Sequence, residues 1–513
     1  MSSPDVVRAA LVTLAIICDL AAALCPEQCR CRPSTSDCSH SRLDAVPISL
    51  DPRVHILRLQ GNRIGSIEDT LGFYQSLREL NLADNSLTSL GEGQLVMQEE
   101  LKQLRLEDNL LSVLLPDSFK GLRRLLRLDL SGNRLTVLDR PVFRWMLKLK
   151  TLNLGGNRIR TVARNAFENL GELVTLDLSH NRLTHLPSES FRHLARLRTL
   201  ALNGNRLQAV PFHAFFELRS LHSLSLAENS IDSVHAEAFA YLYELRALNV
   251  SYNRLETFPA ASLALPQLEK LDASGNHFSS LKPRHLDNLH RLRVFRLCQS
   301  QLLSSVTGHI FSNNLLLEEV HLCMNPQLRW FPRTAVDSLP HLKVLNLGGN
   351  SLGTLENITS LLQRIEAFNV SGNPLVCNCS ARWLWDLPAH LPNTSVLFPI
   401  RCVDSGRLLT ELSEADLGCG WWLTAAIAAA AVAFVAAFCA ALTRPMLMPA
   451  GSGLGHDSPM RGRHFTLLTG DYAGTRDAGC GWEHGRRCDR DFGQHYAAQR
   501  IGDYAARAPS LVV

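Results

Sequence analysis

Two groups of cysteines carry the most specific chemistry in this 513-residue chain. Cys25, Cys29, Cys31 and Cys38 stand near its start, and Cys377, Cys379, Cys402 and Cys419 stand far along it. Thiols spaced in this way either hold a zinc ion or close disulfides, and the compartment decides between the two. The sequence contains no glycine-rich phosphate loop, no H-E-x-x-H metal motif and no nucleophile elbow. Ser, His and Asp are scattered, so neither an enzyme nor a metal or cofactor is expected. A net charge of +4 is small for this length and gives no reason to expect a nucleic-acid partner.

Whatever positions the two cysteine groups must lie between them, and it is a repeat. The segments "LVTLDLSHN" (Leu173 to Asn181), "LRTLALNGN" (Leu197 to Asn205) and "LHSLSLAEN" (Leu221 to Asn229) align as L-x-x-L-x-L-x-x-N with a spacing of 24. The asparagine recurs at positions 62, 85, 109, 133, 157, 181, 205, 229, 253, 276, 325, 350 and 373, and Ser300 stands where one more is due, which makes fourteen repeats. An L-x-L segment places its leucines on one face of a short strand. A single repeat cannot bury that face, so neighbours must stack into one continuous core. Phe119, Phe143, Phe167, Phe191, Phe215 and Phe239 recur at the same spacing as a second core column on the return path. The expected fold is an α/β solenoid, a horseshoe with a parallel sheet on its concave side. Each asparagine is expected to serve backbone groups where the chain turns out of the strand.

With its repeats bracketed by cysteine groups, the chain resembles the extracellular leucine-rich repeat family over roughly residues 25 to 419. A solenoid exposes its core at both ends and needs caps. The resemblance implies disulfide caps that pair Cys25 with Cys31, Cys29 with Cys38, Cys377 with Cys402 and Cys379 with Cys419, although the cysteine spacing alone permits other connectivities. Cys298 and Cys323 lie outside the caps. Each follows the last strand leucine of its repeat, Leu297 or Leu322, so the two share a lattice position on adjacent rungs. Strands about 4.8 Å apart bring such a pair within disulfide range, and a bridge is expected. A metal site completed by His321 would need further ligands.

Apolar segments set the expected topology. Residues 1–23 read as a signal peptide, with an apolar run after Arg8. A cysteine-rich cap then covers 24–53, the repeats 54–376 and the second cap 377–419. Residues 421–443 are uncharged and long enough for one transmembrane helix, with Trp421 and Trp422 at its outer end and Arg444, Arg461 and Arg463 beyond it. The tail 444–513 is expected to be disordered and cytoplasmic. The chain is thus expected at the plasma membrane as a single-pass type I protein. Glycosylation sequons fall at Asn249, Asn357, Asn369, Asn378 and Asn393, of which Asn378, lying between two cap cysteines, is expected to be poorly accessible. In the tail, Tyr472 and Tyr504 sit in a repeated GDYA, and Leu511 and Val513 resemble a PDZ-binding carboxy terminus.

The residues beside the strand leucines form the expected ligand face. They are charged early, at Arg58, Glu79, Arg105, Glu107, Arg127 and Asp129, small and polar in the middle, and charged again at Arg296, Glu319 and His321. Glycans on Asn249 and Asn369 would block part of that face. Capped ectodomains on a single span resemble adhesion molecules of the Capricious and Tartan type and the neuronal leucine-rich repeat proteins. That resemblance implies a receptor that binds an extracellular or cell-surface protein ligand through its concave face. The alanine-rich span supports a second expectation, an accessory subunit or co-receptor that pairs with a membrane protein of the same cell.

Overall fold

The computed structural model describes residues 25–387, 400–419 and 421–442, with side chains of the last stretch described over 425–439. Its core element is one sheet of sixteen strands, two of which, Arg30–Arg32 and Thr35–Asp37, form an antiparallel hairpin. The remaining fourteen are three-residue strands that run from Ile56–Arg58 to Ala367–Asn369, one per repeat, each parallel to the one before. Register is kept throughout: Leu57 stands beside Leu80, Leu152 beside Leu176, and Leu345 beside Phe368.

The central strand residue is buried on every rung, while its two neighbours are half-buried or exposed on nearly all of them. This is the alternation that an L-x-L strand demands. Behind the sheet, Phe119, Phe143 and Phe167 stack in file with ring centroids 6.0 and 6.2 Å apart, as do Phe215 and Phe239 at 6.0 Å. Strands in a sheet lie about 4.8 Å apart. The rungs are therefore wider on the return side than on the sheet side, so the stack fans and the sheet takes the inner, concave surface. The return side differs from the expected α/β pattern, because it is built mainly of turns with short 3-10 segments such as Ser188–His193 and Arg333–Ala335. Pro187 and Pro332 immediately precede these two segments and fix the chain direction there.

Both ends are closed covalently. Cys25 pairs with Cys31 and Cys29 with Cys38 at the hairpin, whose second strand continues the sheet in parallel to Ile56–Arg58. Cys377 pairs with Cys402 and Cys379 with Cys419 at the other end, where the Trp385 indole N–H donates to the Leu412 carbonyl at 2.9 Å. The chain divides into two compact units between Ala433 and Phe434, inside the helix Trp421–Leu442. That helix has 22 residues, none charged, and every side chain described in it is exposed. Among the described residues no helix is long and apolar enough to cross a membrane.

Candidate functional site

The concave face is held by an asparagine ladder beneath it. Asn181 shows the pattern: its Nδ2 donates to the Leu154 carbonyl of the preceding rung at 2.9 Å and to its own Leu178 carbonyl at 3.1 Å, while its Oδ1 accepts from the Ile159 N–H at 2.9 Å. Buried backbone groups are thus satisfied across each turn. At Ser300 the ladder is broken, since the Ser300 hydroxyl is buried without a hydrogen-bond partner. The expected Cys298–Cys323 bridge is present at that same place, with Cα atoms 4.5 Å apart, joining the rung that lacks its asparagine to the next. Cys377, Cys402 and Asp404 cluster as well, but the two sulfurs are bonded to each other and offer no thiolate to a metal.

A second set of bonds lies on the face itself. The third strand residue is Asp or Asn on many rungs, and its Oδ1 accepts from the backbone N–H two residues on: Asp129 from Ser131 at 3.0 Å, Asp177 from Ser179 at 2.8 Å, Asn249 from Ser251 at 2.9 Å and Asn369 from Ser371 at 3.0 Å. These side chains fix the strand end and are only partly free for a ligand. The recurring Asp/Asn-x-Ser/Gly at the strand end was the available signal, and sequence reasoning missed its meaning.

The expected ligand residues fall into two groups. In the later one, Glu319 lies between Arg296 at 3.4 Å and His321 at 3.2 Å, so the three form one cluster. The earlier group is looser. Arg58 pairs at 3.7 Å with Asp37 of the capping hairpin, and the Arg105 Nε donates to Glu107 at 2.7 Å. The hydrogen bond from the Ser39 hydroxyl, helped by Arg58, holds the Asp37 carboxyl below the usual range. Asp129 is engaged by Ser131 and accepts from Asn153 at 3.1 Å. Glu79 and Arg127 are exposed and stand in one column of the early strands, with Gln103 on the rung between them. Arg58, Glu79, Gln103 and Arg105 line one open hollow of the face, and Ser223, Asn249, Lys270 and Arg296 line another.

Of the sequons, Asn357 and Asn378 are exposed, and Asn249 and Asn369 are half-buried on the sheet face. Asn378 is exposed, against the expectation of poor access, and its side-chain oxygen accepts from the Ser380 N–H at 3.0 Å. Asn393, Tyr472, Tyr504, Leu511, Val513 and the signal segment 1–23 lie outside the described residues.

Known proteins share the repeat and the fold. The leucine rich repeat family model matches residues 52–110, 99–159, 147–207, 195–255 and 219–278, so the chain carries leucine-rich repeats over that stretch. The matches end just before the rungs whose spacing lengthens to 25, from Ser300 to Asn325 and on to Asn350. Leucine-rich repeat-containing protein 3B of Danio rerio is 34% identical over 94 residues, 17% of this chain and 36% of that protein. Vasorin of Homo sapiens is 28% identical over 186 residues, 31% of this chain and 27% of that protein. The chain thus spans about a third of the length of these relatives. Among solved structures, a Leptospira interrogans LRR protein aligns with a TM-score of 0.56 and 25% identity, over 69% of this chain and 93% of that one. A chain of the Drosophila Toll–Spatzle complex aligns with a TM-score of 0.56 and 22% identity, over 71% and 57%.

Proposed function

From a chain that carries leucine-rich repeats closed by disulfides, we propose a cell-surface adhesion or recognition receptor that binds a protein ligand through the concave face. The observation that carries this reading is the sheet face itself: fourteen rungs in register, with exposed charge at both ends and small polar residues between. The ladder and the strand-end Asp and Asn bonds hold that face rigid, so a ligand meets little ordering cost. The bridges fit an oxidising exterior. On this reading residues 1–23 are a signal peptide, helix 421–443 is the single span and the tail 444–513 is cytoplasmic. What supports the span is the sequence itself, uncharged from 421 to 443 and followed by Arg444. Glycans at Asn249 and Asn369 direct ligands toward the earlier rungs, and Leu511 and Val513 offer a PDZ-type contact. No catalytic role is assigned.

A second reading rests on the alanines of the same helix, Ala425, Ala426, Ala428 to Ala431, Ala433, Ala436 and Ala437, which permit close helix packing in a membrane. It makes the chain an accessory subunit of another membrane protein. Mixing two labelled, non-adherent cell populations separates the readings. Clusters among expressing cells that vanish with Arg105→Glu and Arg296→Glu support concave-face adhesion. Absence of clustering, with a neighbour captured by crosslinking in the same membrane, overturns it in favour of the accessory role.

A further inference from the structure

Arg134, Arg158, Arg182 and Arg206 stand on four consecutive rungs, each one residue beyond its ladder asparagine. Their backbone N–H groups donate to carbonyls of the preceding rung, Leu111 at 2.8 Å, Leu135 at 2.9 Å, Ile159 at 2.8 Å and Leu183 at 2.8 Å. Hydrogen-bonded rungs repeat about every 4.8 Å, so the fold sets one arginine backbone per rung at a regular pitch. All but Arg182, which is half-buried, are exposed. Arg160 lies beside the file, and Arg254 continues it after an interruption at Ser230. We propose that this edge of the sheet is a binding site for a linear sulfated polysaccharide.

Three observations lead there. First, none of these arginines takes part in a salt bridge among the described residues, whereas four of the arginines preceding strands do: Arg293 meets Glu318 at 2.7 Å, Arg246 meets Glu269 at 3.7 Å, and Arg124 and Arg196 pair with Glu100 and Glu172. Second, the position just before the asparagine carries no acid along the file, being Gly132, Gly156, His180 and Gly204, but is Asp84 and Asp108 before it and Glu228 after it. The cationic stretch therefore has defined ends. Third, the carrier is hydrogen-bonded backbone, so the four side chains leave the fold in one row before a ligand arrives and only their rotamers remain to be ordered.

The chemistry selects the ligand. A guanidinium fork takes two oxygens of a sulfate or carboxylate at once, and clustered basic side chains attract heparin-like polyanions. One compact phosphate would engage a single rung or two. A chain that carries anionic groups at regular intervals engages the whole file. This site leaves the concave face free; it rests on the proposed receptor reading only in placing the repeats outside the cell, where such polysaccharides are met.

Detergent-solubilised full-length protein is run on immobilised heparin in a salt gradient. The expected result is elution well above the physiological ionic strength of about 0.15 M, and loss of most retention, at least tenfold in affinity, when Arg134, Arg158, Arg182 and Arg206 are all changed to Gln. A charge-matched variant with Arg124, Arg196, Arg246 and Arg293 changed to Gln should elute with the wild type. Equal losses in the two variants would mean a net-charge effect and overturn the proposal, as would elution of the wild type below about 0.15 M. Retention on immobilised polyglutamate as strong as on heparin assigns the edge to an acidic polypeptide and also overturns it. The Arg158→Gln/Arg182→Gln pair, checked for an unchanged unfolding midpoint, must show an intermediate loss. Heparin binding that persists while cell clustering fails removes the concave-face receptor and keeps the arginine site; the opposite pattern does the reverse.

Discussion

The Tyr252 hydroxyl donates to the side-chain oxygen of Gln299 at 2.6 Å and crosses the whole intervening rung to do so. The crossing is open only because that rung offers Gly275, whose φ is +64° and whose missing Cβ would lie 2.5 Å from the Tyr252 ring. His180 lies in the same way over Gly204, where a Cβ would fall 2.4 Å from the imidazole. Gly275→Ala is expected to destabilise the solenoid by about 1–3 kcal/mol through left-handed backbone and lost packing. Gly171→Ala, at a site with open space around it, should shift the chemical-denaturation midpoint little. Equal shifts for the two would refute this account.

Asn181→Ala removes an acceptor for the Ile159 N–H and the donor shared by the Leu154 and Leu178 carbonyls. Leaving buried backbone groups unmet costs about 1–3 kcal/mol each, so a loss of at least about 2 kcal/mol is expected from urea unfolding. A neutral result would mean that water replaces the amide. Ser300→Asn offers the reverse experiment, since it restores a ladder residue where the hydroxyl has no partner; a raised midpoint is the expected outcome.

The Cys298–Cys323 bridge closes a loop with a sequence separation of 25. On the chain-entropy account its removal as a Cys298→Ser/Cys323→Ser pair should cost about 3.5 kcal/mol. Peptide mapping of the unreduced protein checks the bond directly, and recovery of both cysteines in alkylated form contradicts it.

Asp117 provides an acid-sensitive marker on the return side. The hydrogen bond from Arg144 holds its carboxyl below the ordinary value of 3.8, with the Trp145 indole and Lys120 adding to the effect and desolvation opposing it. A depressed carboxyl stabilises the fold above its unfolded value, and that contribution is lost as pH falls through the folded value. Trp145 donates to Asp117 at 3.3 Å and lies against the Arg144 guanidinium at 5.1 Å. Its fluorescence should therefore change below about pH 4, and Asp117→Asn should remove that step while leaving any later acid transition.

Much of the fold was legible because its period is strict. Leucines at fixed offsets specify both the strand face and the stacking, and Ser300, standing where an asparagine is due, marks the irregular rung in the sequence itself. The face was less legible because sequence shows which side chains point outward but not which are already engaged. Asp129 read as an open charge of the ligand face, yet its carboxylate accepts from the N–H two residues on. Arg58 read as open charge, yet its partner Asp37 belongs to the capping hairpin, which the repeat pattern does not describe. The left-handed position was half-hidden as well: Gly132 and Gly204 announce it, but His180, Glu228 and Tyr252 adopt the same positive φ without a sequence signal.

The bridge at the broken rung also has a mechanical meaning. In a stack where each rung touches only its neighbours, tension applied at the two termini peels rungs in succession. A covalent loop with a sequence separation of 25 withholds about 85 Å of contour from that extension. Pulled in an oxidised state, the molecule stops short by that length. Once the bridge is reduced, the same pull lengthens it in one step, at the point where the hydrogen-bond ladder is weakest.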